Sequence, residues 1–205
     1  MRLLVVTAVA AEREAIERSS HNTVTVIDGG VGVASAAATT ATALSERSFT
    51  GVVAAGIGGG FGIPTGGLAL GTVSIAADLG ADSPEGFLSL DELGLGSSTV
   101  ECDAALVSRL GAVLTDAVPG PILTVTTVTG TQARATALRT RHPDAVAEAM
   151  EGFGVATAAR RAGLPFAEVR AISNPVGPRD RTAWRIDDAL AALRSVGSAL
   201  ATLGE

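Results

Sequence analysis

The sequence predicts an α/β protein: a single three-layer domain over residues 1–205, with a central, mostly parallel mixed sheet flanked by helices. Three observations carry this. Short apolar runs ending in small polar residues alternate along the whole chain with stretches of helical spacing, the pattern of βα units. With 205 residues, 47% hydrophobic and 18% charged, the chain can bury one substantial core and is too short for two ordinary ones. No internal repeat or low-complexity linker divides it.

The elements follow in order. Residues 2–7 (RLLVVT) form a short apolar strand, and residues 11–18 carry helical spacing with two Glu in the first turns. Residues 23–27 alternate Thr with aliphatics as a strand does, and Asp28-Gly29-Gly30 turns the chain. Residues 31–44 are rich in Ala and Thr without a charge, so this helix must be buried or packed against a twin surface. Residues 50–55 are a strand that opens into the glycine run 56–60 (GIGGG), and residues 71–76 are a further strand.

Residues 77–98 read as a long loop of Gly, Asp, Ser and Pro, a length that inside a compact domain is usually functional or mobile. Then come an amphipathic helix at 103–114, a strand at 121–127 and an Arg-rich helix at 131–141. Residues 145–150 are ambiguous by periodicity and are assigned as a strand for their shortness. A helix at 155–162, a strand at 167–172, a Pro/Gly/Arg loop at 174–182 and a closing helix at 186–203 complete the chain.

Composition excludes several classes. The formal net charge of -6 and a pI near 4.9 lack the basic footprint of a nucleic-acid binder. No apolar stretch is long enough to span a bilayer, and the segment MRLLVVTAVAAERE lacks a signal-peptide cleavage pattern, so a cytoplasmic protein with no membrane partner is expected. One cysteine, Cys102, allows no internal disulfide, and with only His21 and His142 beside it no metal cluster is indicated.

In open α/β sheets ligands gather at the carboxyl ends of strands. Thr7, Gly56, Thr129, Glu151 and Asn174 fall at or just beyond such ends, which predicts one shared pocket. Glu151 closes an apolar run, AEAMEGFG, where a carboxylate needs a compensating partner. Arg170, inside the strand-like run AEVRAIS, poses the same question with opposite charge, and a structural ion pair between the two is one answer. Glu12 sits in the first turn of a helix, where the dipole favours a carboxylate, with Glu14 competing for the position. Asn174 before Pro175 would also serve as a simple strand terminator. The glycine run is equally consistent with a ligand contact and with a tight turn.

Together these residues resemble the nucleoside phosphorylase and nucleosidase superfamily, in particular its 5'-methylthioadenosine/S-adenosylhomocysteine nucleosidase branch, over almost the whole chain. The resemblance rests on TAVAAE ending at Glu12, on Ala55-Gly56-Ile57-Gly58-Gly59, on Met150-Glu151 and on Arg170-Ala171-Ile172-Ser173. It implies hydrolysis of a nucleoside's N-glycosidic bond without a cofactor, by a homo-oligomer (dimer or higher). Glu12 would activate water and Arg170 help position it, Met150 and Glu151 would bind ribose, and Ile57, Gly58 and Gly59 would contact water or ribose. Val128, Thr129, Phe153, Ser173 and Asn174 would hold the base, with Asn174 supporting its departure.

Asn174 departs from the adenine-specific branch, which places Asp there. An amide donates to a 6-oxo group and accepts from N7–H, so a 6-oxopurine is implied. With residues 78–95 and the loop ISNPVGPRDR, this departure resembles the futalosine hydrolase branch, whose substrate is a hypoxanthine nucleoside bearing an aromatic keto acid at its 5' carbon. Phe87, Arg179 and Arg181 would then receive the 5' group. An adenine-type nucleosidase, a purine nucleoside phosphorylase and a non-catalytic nucleoside-binding module stay open as alternatives.

Overall fold

A computed structural model describes residues 1–204. The strand β1 (Leu3–Thr7) leads through a short turn to α1 (Ala10–Ser20), followed by β2 (Thr25–Asp28), α2 (Val33–Glu46) and the ten-residue strand β3 (Gly51–Gly60). Next come β4 (Leu68–Ala76), β5 (Gly80–Ser83), β6 (Gly86–Ser89), β7 (Thr99–Glu101), α3 (Ala104–Val113) and β8 (Val118–Thr124). The chain continues with α4 (Gln132–Arg141), β9 (Ala147–Ala149), α5 (Gly152–Arg161), β10 (Phe166–Pro175), a 3-10 turn at Arg181–Ala183 and α6 (Ile186–Gly204).

The three-layer α/β arrangement is as expected. Along β1 the side chains alternate between two cores, which is the period-2 geometry of a strand buried on both faces. Leu3 and Val5 pack with α1, α3 and α6 through Ile16, Leu110 and Leu193. Leu4 and Val6 pack with α2 and α5 through Ala36, Val155 and Ala159.

The main sheet runs β10-β4-β8-β9-β3-β1-β2, with β7 on β4, and β10 pairs β3 as well. Strands β3, β10, β4, β8 and β9 therefore close into a ring, from which β1 and β2 extend. Along one edge of β3, β10 follows it from Val52 to Gly60. Along the other, β1 pairs Gly51 to Ala54 and β9 pairs only Gly59 and Gly60. Between them the edge of β3 has no partner strand, and a cavity opens beside that gap.

Three differences from the sequence reading have physical causes. The glycine run is not a turn: β3 continues through it because β10 pairs the whole length, so tertiary pairing overrides the low strand propensity of glycine. Residues 77–98 are not an unstructured loop but carry the β5–β6 hairpin. The helix α2 buries only Ala36 and Thr40 and leaves much of its uncharged face exposed, so it is not an interior helix.

Candidate active site

Six chain segments meet at one cavity, Val31 between β2 and α2 among them. It is lined by Ala8, Val9 and Glu12 after β1, Ile57 to Gly59 on β3, and Val128 and Thr129 after β8. Glu148 to Glu151 around β9, and Ser173, Asn174, Arg179 and Trp184 from β10 onward, complete the wall. Helix spacing could not separate Glu12 from Glu14; the fold does, since Glu12 is buried and faces the cavity, whereas Glu14 pairs with Arg18 on the solvent side.

Glu12 is held by backbone donors. Its Oε1 accepts the Ile57 N–H at 2.8 Å, the group that the splay leaves without a strand partner. Its Oε2 accepts the Ala8 and Val9 N–H groups at 2.8 and 3.3 Å, at the N-terminus of α1 where the dipole favours a carboxylate. Burial pushes its pKa above the ordinary carboxylate value, and the bonds from Ile57 and Ala8 with the field of Arg170 offset this only partly.

Behind the cavity wall lies a buried charge network. Arg170, 1% exposed, donates from Nη1 to Glu151 Oε2 at 3.1 Å and from Nε to Glu168 Oε1 at 3.0 Å. Burial works against the guanidinium charge, but Glu168, Glu151 and Glu12 outweigh it and raise its pKa further. Glu168 is fully buried, and burial raises its pKa despite Arg170. Gly56 makes the approach possible, because a Cβ there would stand 3.0 Å from both Arg170 Nη1 and Glu12 Oε1.

Glu151 lies at the N-cap of α5. Besides Arg170, its Oε1 accepts the Gly32 N–H at 3.2 Å and its Oε2 the Met150 N–H at 3.3 Å. Asn174 follows a β-bulge at Ser173, where the β10–β3 register shifts and re-aims the side chains that follow. The Ser173 hydroxyl donates to Asn174 Oδ1 at 2.8 Å, and Asn174 Nδ2 donates to the Pro175 carbonyl at 3.0 Å. One amide proton and further lone pairs of Asn174 stay available to a ligand.

Of the residues singled out in the sequence, Glu12, Ile57, Gly58, Gly59, Val128, Thr129, Met150, Glu151, Ser173, Asn174 and Arg179 line the cavity. Four do not. Arg170 stands one layer behind the wall. Phe153 is buried on α5 in the core with Leu4 and Val52, its N–H donating to Thr124 Oγ1 at 2.9 Å. Phe87 sits in the β5–β6 hairpin with the Arg141 guanidinium 4.3 Å from its ring centre. Arg181 is exposed on the 3-10 turn. Among the lining residues that the sequence does not single out are Trp184 and Glu148, a carboxylate in the apolar run AVAEAM whose placement is itself a signal.

Comparison with known proteins gives the family and the fold. Residues 8–205 match the family model described as the phosphorylase superfamily. The chain is 49% identical to a futalosine hydrolase of Streptomyces coelicolor, covering 100% of this chain and 97% of that one. It is 45% identical to a futalosine hydrolase of Acidothermus cellulolyticus, covering 98% and 90%. Among solved structures, a 5'-methylthioadenosine/S-adenosylhomocysteine nucleosidase from Neisseria meningitidis in complex with methylthio-immucillin-A superposes with a TM-score of 0.84 at 18% identity, over 98% and 99% of the two chains, a likeness of fold.

Proposed function

The chain belongs to the phosphorylase superfamily, and from that premise we propose that it hydrolyses the N-glycosidic bond of futalosine, releasing hypoxanthine and dehypoxanthine futalosine in the futalosine route of menaquinone biosynthesis. The near-full-length identity to the Streptomyces coelicolor futalosine hydrolase carries this reading. The cavity supplies the chemistry it requires.

Cleavage passes through a state with oxocarbenium character at the ribose, so the enzyme must deliver water to C1' and stabilise the departing base. Glu12 is the base. Its raised pKa makes it a better proton acceptor than a solvated carboxylate, and three backbone N–H groups fix where it points. As the water oxygen bonds to C1', its proton passes to Glu12, and the C1'–N9 electron pair leaves with the base.

Glu151 accepts hydrogen bonds from the ribose hydroxyls with Met150 against the sugar, and Arg170 fixes the Glu151 carboxylate from behind. Arg170 is thus a positioning residue that also biases Glu12 through its field. Asn174 donates to O6 of the leaving purine, drawing the developing negative charge onto the 6-oxo group, and its Oδ1 accepts from N7–H once the departing purine anion has taken up a proton from solvent. Arg179 and Trp184, with the guanidinium 5.6 Å from the ring centre, offer a cation and an aromatic face to the 5' group and its carboxylate.

No described helix is long and apolar enough to cross a membrane. A cytoplasmic location and a homo-oligomer belong to this proposal. The exposed, uncharged face of α2 and the exposed Val9 and Val31 at the cavity rim support an assembly there.

The test is incubation in phosphate-free buffer with futalosine, inosine and 5'-methylthioadenosine, followed by chromatographic identification of the released base. Hypoxanthine from futalosine is the expected product. Adenine from 5'-methylthioadenosine, or a requirement for phosphate, would overturn the assignment.

A further inference from the structure

The network behind the cavity holds a carboxylate that the reaction as described does not use. Arg170 on β10 meets Glu151 through Nη1 at 3.1 Å, yet its Nε also donates to Glu168 Oε1 at 3.0 Å. Glu168 is fully buried, lies two residues earlier on the same strand and does not line the cavity. Burying a second carboxylate against one guanidinium is a poor route to stability, because desolvation offsets the added attraction. The fold nevertheless makes room for it. Gly71 on β4 would bring a Cβ within 3.1 Å of the Glu168 Cβ, and Gly152 at the start of α5 lies against its carboxyl.

The geometry of the guanidinium shows what this second bond does. The group is a flat, rigid fork, so holding Nε fixes the direction of both Nη atoms. Among the described residues, Arg170 Nη2 has no hydrogen-bond partner, so the orientation of the fork rests on Glu168 and Glu151 alone. With Glu151 as its one anchor the fork could pivot, and a competing carboxylate stands close by. Arg170 Nη1 and Glu12 Oε1 are each 3.0 Å from the point that a Cβ on Gly56 would occupy.

Resting on the hydrolase reading above, we propose that Glu168 is a positioning residue for the ribose: it holds Nε of Arg170 so that Nη1 meets Glu151 and not Glu12, and so keeps the Glu151 carboxylate aimed at the sugar hydroxyls. Glu168 touches no substrate atom and acts only through Arg170. What matters is an acceptor oxygen at the right reach, more than the charge it carries.

The test compares Glu168→Asp, Glu168→Leu and Glu168→Gln in the full-length protein, by KM for futalosine and by the calorimetric Kd of free hypoxanthine, which lacks the ribose. Glu168→Asp keeps the charge but withdraws the acceptor by one methylene, and Glu168→Leu removes the acceptor altogether. Both should raise KM at least about tenfold, the worth of one charge-assisted hydrogen bond lost at the sugar, and leave the hypoxanthine Kd unchanged. Glu168→Gln returns an oxygen to the original reach without the charge and should recover most of that loss. Either loss variant suffices for the comparison, so failure of one to fold does not end it.

A merely structural role would raise KM and Kd in parallel, and that result overturns the proposal. So does a KM nearer to wild type in Glu168→Asp than in Glu168→Gln, which would make charge the requirement, or a KM that no variant changes. The two readings fail separately. Hydrolysis of futalosine without the split between KM and Kd overturns the role of Glu168 and leaves the hydrolase standing. Absence of hydrolysis by the wild type overturns the hydrolase, and the Kd of intact futalosine then takes the place of KM, with the same order of variants expected.

Discussion

Arg170 and Glu151 form a buried ion pair, Nη1 to Oε2 at 3.1 Å, in which only the carboxylate reaches the cavity. The cation is 1% exposed and is shared with Glu168. One element of the core thereby sets the orientation of one element of the site, and the consequences can be measured.

Removing Arg170 leaves two buried carboxylates without their common partner. Breaking a buried pair from one side costs about 3–5 kcal/mol, so Arg170→Met should lower the urea midpoint severely. Arg170→Met with Glu168→Gln should recover part of that loss. Recovery of stability without recovery of KM would separate the core role of Glu168 from the proposed sugar-binding role of Glu151.

Glu12→Gln should lower kcat by roughly 100- to 10,000-fold, the usual contribution of a general base. Hypoxanthine binding should change far less, because Asn174 and the base contacts are untouched. Steady-state kinetics with titration of the free base tests this. Full hydrolysis by the variant would remove Glu12 from the mechanism.

The pH dependence follows from the direction of the shifts. Burial raises the pKa of Glu12, Glu148 and Glu168. Each folded-state carboxyl therefore holds its proton more tightly than in the unfolded chain. Their contribution to stability is fully present below the ordinary carboxylate value and is lost as pH rises through the raised values. Urea midpoints should fall across that window, and Glu168→Gln should flatten the fall. Activity runs the opposite way, with kcat/KM decreasing as pH drops through the raised pKa of Glu12 and the base becomes protonated.

Gly152, the first residue of α5, packs against the Glu168 carboxylate, and a Cβ there would overlap it. Gly152→Ala must displace a buried charged group held by Arg170. It should destabilise the fold by several-fold more than the roughly 1 kcal/mol typical of single substitutions. Gly111→Ala on α3, where a Cβ meets only Leu70 at 3.6 Å, is the control and should be neutral or mildly stabilising by thermal denaturation.

Asn174→Asp exchanges an amide for a carboxyl, which accepts from a 6-amino group and, protonated, donates to N7. The variant should gain adenine release from 5'-methylthioadenosine relative to hypoxanthine release from futalosine. Product chromatography reads the ratio directly. An unchanged ratio would transfer specificity to other residues.

Much of this was legible in the linear chain because strand and helix periods write themselves into hydrophobic spacing. The unbroken apolar run Leu3, Leu4, Val5 and Val6 announced a strand, and the polar residues at strand ends announced a pocket. The site was less legible wherever its geometry depends on pairing between distant segments. The run at 56–60 has turn composition, and only the full-length embrace of β10 keeps it extended. The hairpin at 80–89 hides among Gly, Asp and Ser, since its two four-residue strands carry too few apolar positions to show a period. The resemblance assigned Phe153 to the base and Phe87 to the 5' group, but each packs locally, one in the core and the other against Arg141.

The sequence by itself determined the class of fold and the order of its main helices and strands, and it made Glu151 a candidate, because burying a charge in an apolar run is costly enough to be conspicuous; Glu12 and Asn174 became candidates through the family resemblance. Only the tertiary structure decided which of those groups face the cavity. It put Glu12 on the free edge of β3, Arg170 behind Glu151, and Asn174 and Glu148 on either side of Gly59. Register and sheet closure are properties of strands brought together from far apart in the chain, and no local pattern specifies them.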